Sequence, residues 1–155
     1  MTGKTLTSLA TLGSAALLLG AFGFQHLGGY APCQMCLWQR WPHAAAVLIG
    51  AIVLLGGPRV MAWLGALAAA VTALIGVFHA GVEWGWWPGP SSCTGGGMDL
   101  GSLDGGSLLS TEGPSGLVMC DEIVWQFLGL SMAGWNAIFS FILVGLWVAA
   151  ARKAT

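Results

Sequence analysis

Pro32-Cys33-Gln34-Met35-Cys36-Leu37-Trp38-Gln39-Arg40 decides how the chain is read. Two cysteines at this spacing close a small, reducible disulfide, and the spacing lowers a thiol pKa. Apolar runs flank the stretch, from Thr5 to Phe24 before it and from Leu37 to Gly56 after it. If the second run turns helical at Cys36, the positive end of that helix favours a thiolate there. Arg40 follows one turn on, along the same face. A redox dithiol at the mouth of a membrane helix is the first expectation.

Composition points the same way. Of 155 residues, 56% are hydrophobic and 7% charged, against about a quarter charged in a typical soluble domain. So few charges cannot cover the surface of a soluble protein of this size, so the chain is read as one integral membrane domain over residues 1–155. A net charge of −1 leaves no basic footprint for nucleic acid.

About 20 apolar residues at 1.5 Å rise cross the roughly 30 Å hydrocarbon layer. On that measure spans are predicted at 5–24, 37–56, 60–80 and 133–151, an all-α membrane protein built as a four-helix transmembrane bundle. The first run follows Lys4, as a signal peptide would, but it is long for one and no Ala-x-Ala site follows. It is therefore read as an uncleaved span. Ala62-x-x-x-Ala66 sets small residues at a close-packing spacing.

The connections 25–36 and 81–132 fall on one side of such a bundle. The longer one holds all 6 acidic residues, and Glu83 and the Asp121-Glu122 pair read as solvated loop charges. Ser91–Gly116 is rich in Gly and Ser and reads as a mobile loop. Leu117–Leu130 has apolar residues suited to a short amphipathic helix on the membrane surface. Trp38, Trp41, Trp84, Trp86, Trp87, Trp125 and Trp135 read as interfacial anchors. Lys4, Arg59, Arg152 and Lys153 mark the N-terminus, the second-to-third connection and the C-terminus. The positive-inside rule makes that face cytoplasmic, which puts both cysteine pairs in the oxidising compartment.

Cys93 and Cys120 are the other cysteines. As a simple staple they would stabilise the loop by about 3.6 kcal/mol on the chain-entropy estimate. Beside a Cys-x-x-Cys pair on the same face they are also placed for thiol–disulfide exchange. A metal site made of all four thiolates is the rival, although it lacks the second tight pair of a zinc ribbon. Haem attachment needs His after Cys36, where Leu37 stands. Arg40 is a cation at membrane depth, costly unless functional. It is a candidate to stabilise the Cys36 thiolate or to bond a carbonyl oxygen of a lipid-soluble electron acceptor. His79 is a second cofactor candidate at the same depth, ahead of His26 and His43.

With these motifs assembled, the chain resembles the DsbB family of bacterial membrane disulfide oxidoreductases. The resemblance rests on Phe24-Gln25-His26, Pro32-Cys33-x-x-Cys36-x-x-x-Arg40, Trp87-Pro88, Cys93, Cys120-Asp121-Glu122, Trp125-x-Phe127-Leu128-Gly129-Leu130-x-Met132 and Trp135. It implies an inner-membrane thiol:quinone oxidoreductase that reoxidises a DsbA-like periplasmic thiol oxidase. Ubiquinone or menaquinone from the membrane pool would lie near Cys36, with Arg40 holding the Cys36 charge or the quinone oxygen. It further implies that a partner thiolate attacks a Cys93–Cys120 disulfide at Cys93, and that Cys120 then reduces a Cys33–Cys36 disulfide through Cys33. A specialised paralogue serving one dedicated thiol partner is the variant of that reading. Gly95–Gly116 departs from the family pattern.

Overall fold

Helix starts follow the capping side chains that the sequence supplies. Thr2 Oγ1 accepts from the Thr5 N–H at 3.2 Å and opens α1, Gly3–His26. Cys33 Sγ does the same for the Cys36 N–H at 3.1 Å and opens α2, Gln34–Leu54. A 3₁₀ turn at Arg59–Met61 leads into α3, Ala62–Glu83. Ser131 Oγ accepts from the Gly134 N–H at 3.2 Å and opens α4, Met132–Arg152. Such caps satisfy N–H groups that have no partner within the helix. The computed structural model describes residues 1–91, 93 and 118–153. The Gly-rich stretch of the long connection lies outside the described residues.

The helices form a ring, α1 against α2 and α4, and α3 against α2 and α4. Small residues let them approach. Ala62, Ala66, Ala69 and Ala73 are buried along α3, and a Cβ on Gly76 would stand 3.1 Å from the Ala133 carbonyl of α4. Gly65 gives way to the indole of Trp147, which is fully buried in the core. The Ala62/Ala66 spacing is thus a packing surface, as its sequence suggests.

Large apolar side chains such as Leu12, Leu19, Leu67, Leu74 and Ile142 point outward. Three of the helical segments, Gly3–His26, Arg59–Glu83 and Met132–Arg152, are long and apolar enough to cross a membrane. α2 is as long, at 21 residues, but carries Gln34, Gln39, Arg40 and His43. Those residues lower its mean hydropathy, and Gln39 and His43 turn inward, where both are buried. The termini meet at one end, where Lys153 Nζ donates to the Met1 carbonyl at 2.7 Å. The four cysteines gather at the other.

The surface helix expected over Leu117–Leu130 is not formed across its described part. Val118–Trp125 has no regular structure, and Gln126–Phe127 (β1) pairs antiparallel with Leu130–Ser131 (β2), joining Phe127 to Leu130. The two-residue turn between them has positive φ at both positions, 52° at Leu128 and 78° at Gly129. Two positive φ values make the tight hairpin turn whose twist matches the strands, which a helix cannot accommodate. The apolar residues that mimic a helix face divide instead. Val124, Trp125 and Phe127 line a cavity, while Leu128 stays exposed at the turn.

Candidate active site

As the cap of α2, Cys33 sits with its sulfur over the first turn, and its thiol donates to Cys36 Sγ at 2.9 Å. Both are free cysteines, Cys33 buried and Cys36 partly exposed. The hydrogen bond to Cys36, reinforced by burial, raises the Cys33 thiol well above the ordinary range. The pair therefore keeps its proton on Cys33, and the charge falls to Cys36, at the positive end of α2.

Cys93 and Cys120 form a disulfide, with Cα atoms 5.3 Å apart. It does not stand off as a loop staple. It is buried in one cluster with Cys33, Met35 and Val82, against which Cys36 and Trp87 pack. Trp87 is held there by an indole N–H bond to the Phe78 carbonyl at 2.8 Å, over a Gly81 that leaves room for the ring. The disulfide also takes up two of the thiolates that a four-cysteine metal site would need.

On its other side Cys36 faces a cavity of about 420 Å³ between α1, α2, α4 and the hairpin. This lies within the usual range for small-molecule sites. Its walls are mostly apolar, with Leu17, Phe24, Trp125, Phe127, Trp135 and Phe139 among them. Trp125 packs at a tilt against Phe24, with ring centroids 5.1 Å apart, and so forms part of the cavity wall. Arg40 lines the cavity but is tied to α1. Its Nη1 donates to Gln25 Oε1 at 2.6 Å and Nη2 to the Ala21 carbonyl at 3.4 Å, with its guanidinium 4.9 Å from the Phe22 ring centre. Its buried Nε has no hydrogen-bond partner among the described residues. Apolar walls, aromatic faces and a cation with a spare donor fit a flat, carbonyl-bearing ring such as a quinone.

His79 is not on the cavity wall. It is buried behind the dithiol, with Nε2 3.5 Å from Cys33 Sγ and 3.8 Å from Glu83 Oε1. Glu83 departs from the sequence reading of a solvated charge. Its side chain is 6% exposed, and it accepts the Ser131 hydroxyl. It sits in the last turn of α3, covered by the hairpin, so its place in the sequence looks like a loop and its environment is interior. Asp121 and Glu122 are exposed, as expected.

A polar ladder crosses the bundle below the dithiol. Gln39 Nε2 donates to the Met35 carbonyl at 3.1 Å and lies 3.0 Å from His79 Nδ1. Asn136 Nδ2 donates to Gln39 Oε1 at 2.7 Å and to Thr72 Oγ1 at 3.2 Å, and His43 Nε2 meets Asn136 Oδ1 at 2.9 Å. Cys33 Sγ, Cys36 Sγ and His79 Nε2 lie within 4.8 Å of one another. Gln39 turns its N–H toward Nδ1, however, so Nε2 carries the ring proton and offers no lone pair to a metal. Sequence reasoning missed Gln39, Thr72 and Asn136. The available signal was weak, uncharged polar residues scattered inside three apolar runs.

A helical membrane protein with a buried disulfide packed on a Cys-x-x-Cys pair, itself open to an apolar cavity, is a membrane thiol–disulfide oxidoreductase. The chain belongs to the DsbB family, since the model of "Disulfide bond formation protein DsbB" matches residues 3–150. It is 34% identical to disulfide bond formation protein B of Marinobacter nauticus, over 96% of this chain and 92% of that one. Against the protein of that name from Xanthomonas oryzae pv. oryzae the identity is 34%, over 92% of this chain and 86% of the relative. Disulfide bond formation protein B 2 of Pseudomonas aeruginosa is 33% identical, over 87% and 83%. No solved structure matches. The chain is a disulfide-generating oxidoreductase of the membrane, from a family that passes thiol electrons to quinone.

Proposed function

We propose that the chain reoxidises a DsbA-like thiol oxidase on the periplasmic side and delivers the two electrons to ubiquinone or menaquinone. The observation that carries this is the order of the sulfurs, the Cys93–Cys120 disulfide packed on the Cys33/Cys36 pair and Cys36 on the cavity. The whole chain works as one integral membrane unit with four spans, α2 included. The gathering of Lys4, Arg59, Arg152 and Lys153 toward the end away from the cysteines supports a cytoplasmic face there.

The partner's thiolate attacks Cys93 Sγ, forming a mixed disulfide and releasing Cys120 as a thiolate. Cys120 attacks Cys33 Sγ of an oxidised Cys33–Cys36 pair, and Cys36 leaves as a thiolate. The partner's second thiol then displaces Cys93, and Cys93 attacks Cys120 to restore their disulfide and free Cys33. The electrons now rest on Cys33 and Cys36. Quinone supplies the two-electron acceptor, and Arg40 holds the Cys36 charge or a quinone oxygen beside it.

Quinone absorbance, followed with purified protein and a reduced thioredoxin-like partner, tests the reading. Oxidised quinone is expected to disappear in step with partner thiols, and not at all in Cys36→Ser. Quinone reduction that persists in Cys36→Ser sinks the mechanism.

A further inference from the structure

His43 stands on the wall of the cavity and has no task in that scheme. It is 3% exposed, and it follows Arg40 by three residues in α2, so the two are neighbours on one face of the helix. A neutral imidazole has one nitrogen that donates and one that accepts. The hydrogen bonds around His43 use only one of them.

The directions of those bonds follow from the Met35 carbonyl, which can only accept. The Gln39 atom 3.1 Å from it is therefore the amide nitrogen, and the Gln39 atom that meets Asn136 is the oxygen. Asn136 then donates to that oxygen with its own nitrogen, at 2.7 Å, and turns its oxygen to His43. Against an acceptor at 2.9 Å, His43 Nε2 carries the ring proton. Nδ1 keeps a bare lone pair, buried and with no hydrogen-bond partner among the described residues. The Gln39 and Asn136 amides, also on this wall, are committed at both atoms and cannot serve it.

Arg40 Nε is its complement, a buried N–H that likewise has no hydrogen-bond partner among the described residues. The same wall thus offers a spare donor and a spare acceptor. A carbonyl oxygen only accepts, so it answers Arg40 and leaves Nδ1 unmet. A ring hydroxyl accepts and donates, so it can answer both. We propose that His43 is the residue by which this cavity tells reduced from oxidised quinone, Nδ1 accepting a hydrogen bond that only the hydroxyl of the reduced ring can give. This rests on the quinone-linked reading above. A site that holds the reduced form more tightly favours the transfer of electrons from the dithiol. A 10-fold preference raises the midpoint potential of the bound two-electron couple by about 30 mV.

The test uses the full chain in lipid nanodiscs and reads binding, not turnover. A Cys36→Ser background keeps the protein from exchanging electrons with the ligand. A short-chain ubiquinone and its hydroquinone are titrated separately without oxygen, and quenching of tryptophan fluorescence reports binding, since Trp125 and Trp135 line the cavity. With His43 in place the hydroquinone is expected to bind about 10-fold more tightly, the scale of one hydrogen bond made or missed. His43→Leu is expected to bring the two affinities together by weakening the hydroquinone alone. His43→Gln, whose amide can donate to Asn136 and still accept, is expected to keep most of the preference. Equal affinities with His43 in place overturn the inference, and that comparison needs no substituted protein to fold. A His43→Leu protein that binds both forms more weakly but keeps their ratio also overturns it and marks a structural role. If neither form binds, or if protein with all four cysteines never reduces quinone, the quinone-linked reading itself falls.

Discussion

Replacing Asn136 by Leu probes the ladder that ties α2, α3 and α4 together. Asn136 donates to Gln39 Oε1 and Thr72 Oγ1 and takes the bond from His43 Nε2. Thr72 keeps its own bond to the Gln39 carbonyl at 3.1 Å. Gln39 Oε1 therefore loses its partner, and His43 Nε2 keeps only the longer contact to Ser140 Oγ at 3.5 Å. A buried polar atom left unsatisfied costs about 1–3 kcal/mol, whereas side-chain hydrogen bonds between membrane helices average about 0.6 kcal/mol. Gln39 and His43 both line the cavity, so water can reach them and soften the loss. We expect a destabilisation of about 2 kcal/mol, between those limits. The substitution also frees the Gln39 amide from Asn136. Unfolding by titration with a denaturing detergent, followed by tryptophan fluorescence, reads the stability. A change under about 0.5 kcal/mol, the size of an ordinary surface substitution, would refute the ladder as a structural element.

Arg40→Met removes the cation from the cavity, and a hydrogen bond to a charged donor is worth about 1.5–3 kcal/mol. Quinone KM should rise by roughly 10- to 100-fold; an unchanged KM removes Arg40 from the site. In the reduced protein, alkylation near neutral pH should label Cys36 before Cys33, because the hydrogen bond to Cys36 and burial hold the Cys33 thiol in its protonated form. Mass spectrometry finding Cys33 labelled first reverses that assignment. Gly65→Ala sets a methyl group against the Trp147 indole, 2.6 Å from its nearest atoms. Overpacking of that kind costs about 1–3 kcal/mol, so the thermal midpoint should fall, and an unchanged midpoint would mean that the indole moves aside freely.

The sequence by itself determined that four long helices form, that the chain belongs in a membrane, and that the cysteines share one end. These properties are local. An apolar run makes a helix, four of them alternate in direction, and the basic residues segregate without reference to any contact. The Cys-x-x-Cys pair and Arg40 were legible for the same reason, since one helical turn carries them. The tertiary structure decided what lies between the helices. Gln39 and Asn136 are 97 residues apart and meet only because α2 and α4 flank one cavity. Glu83 reads as a loop charge until the hairpin of 126–131 closes over it. The Cys93–Cys120 disulfide packs on Cys33 because Gly81 admits Trp87 behind it. Burial and hydrogen-bond direction are properties of several segments at once, so no single stretch of the chain can encode them.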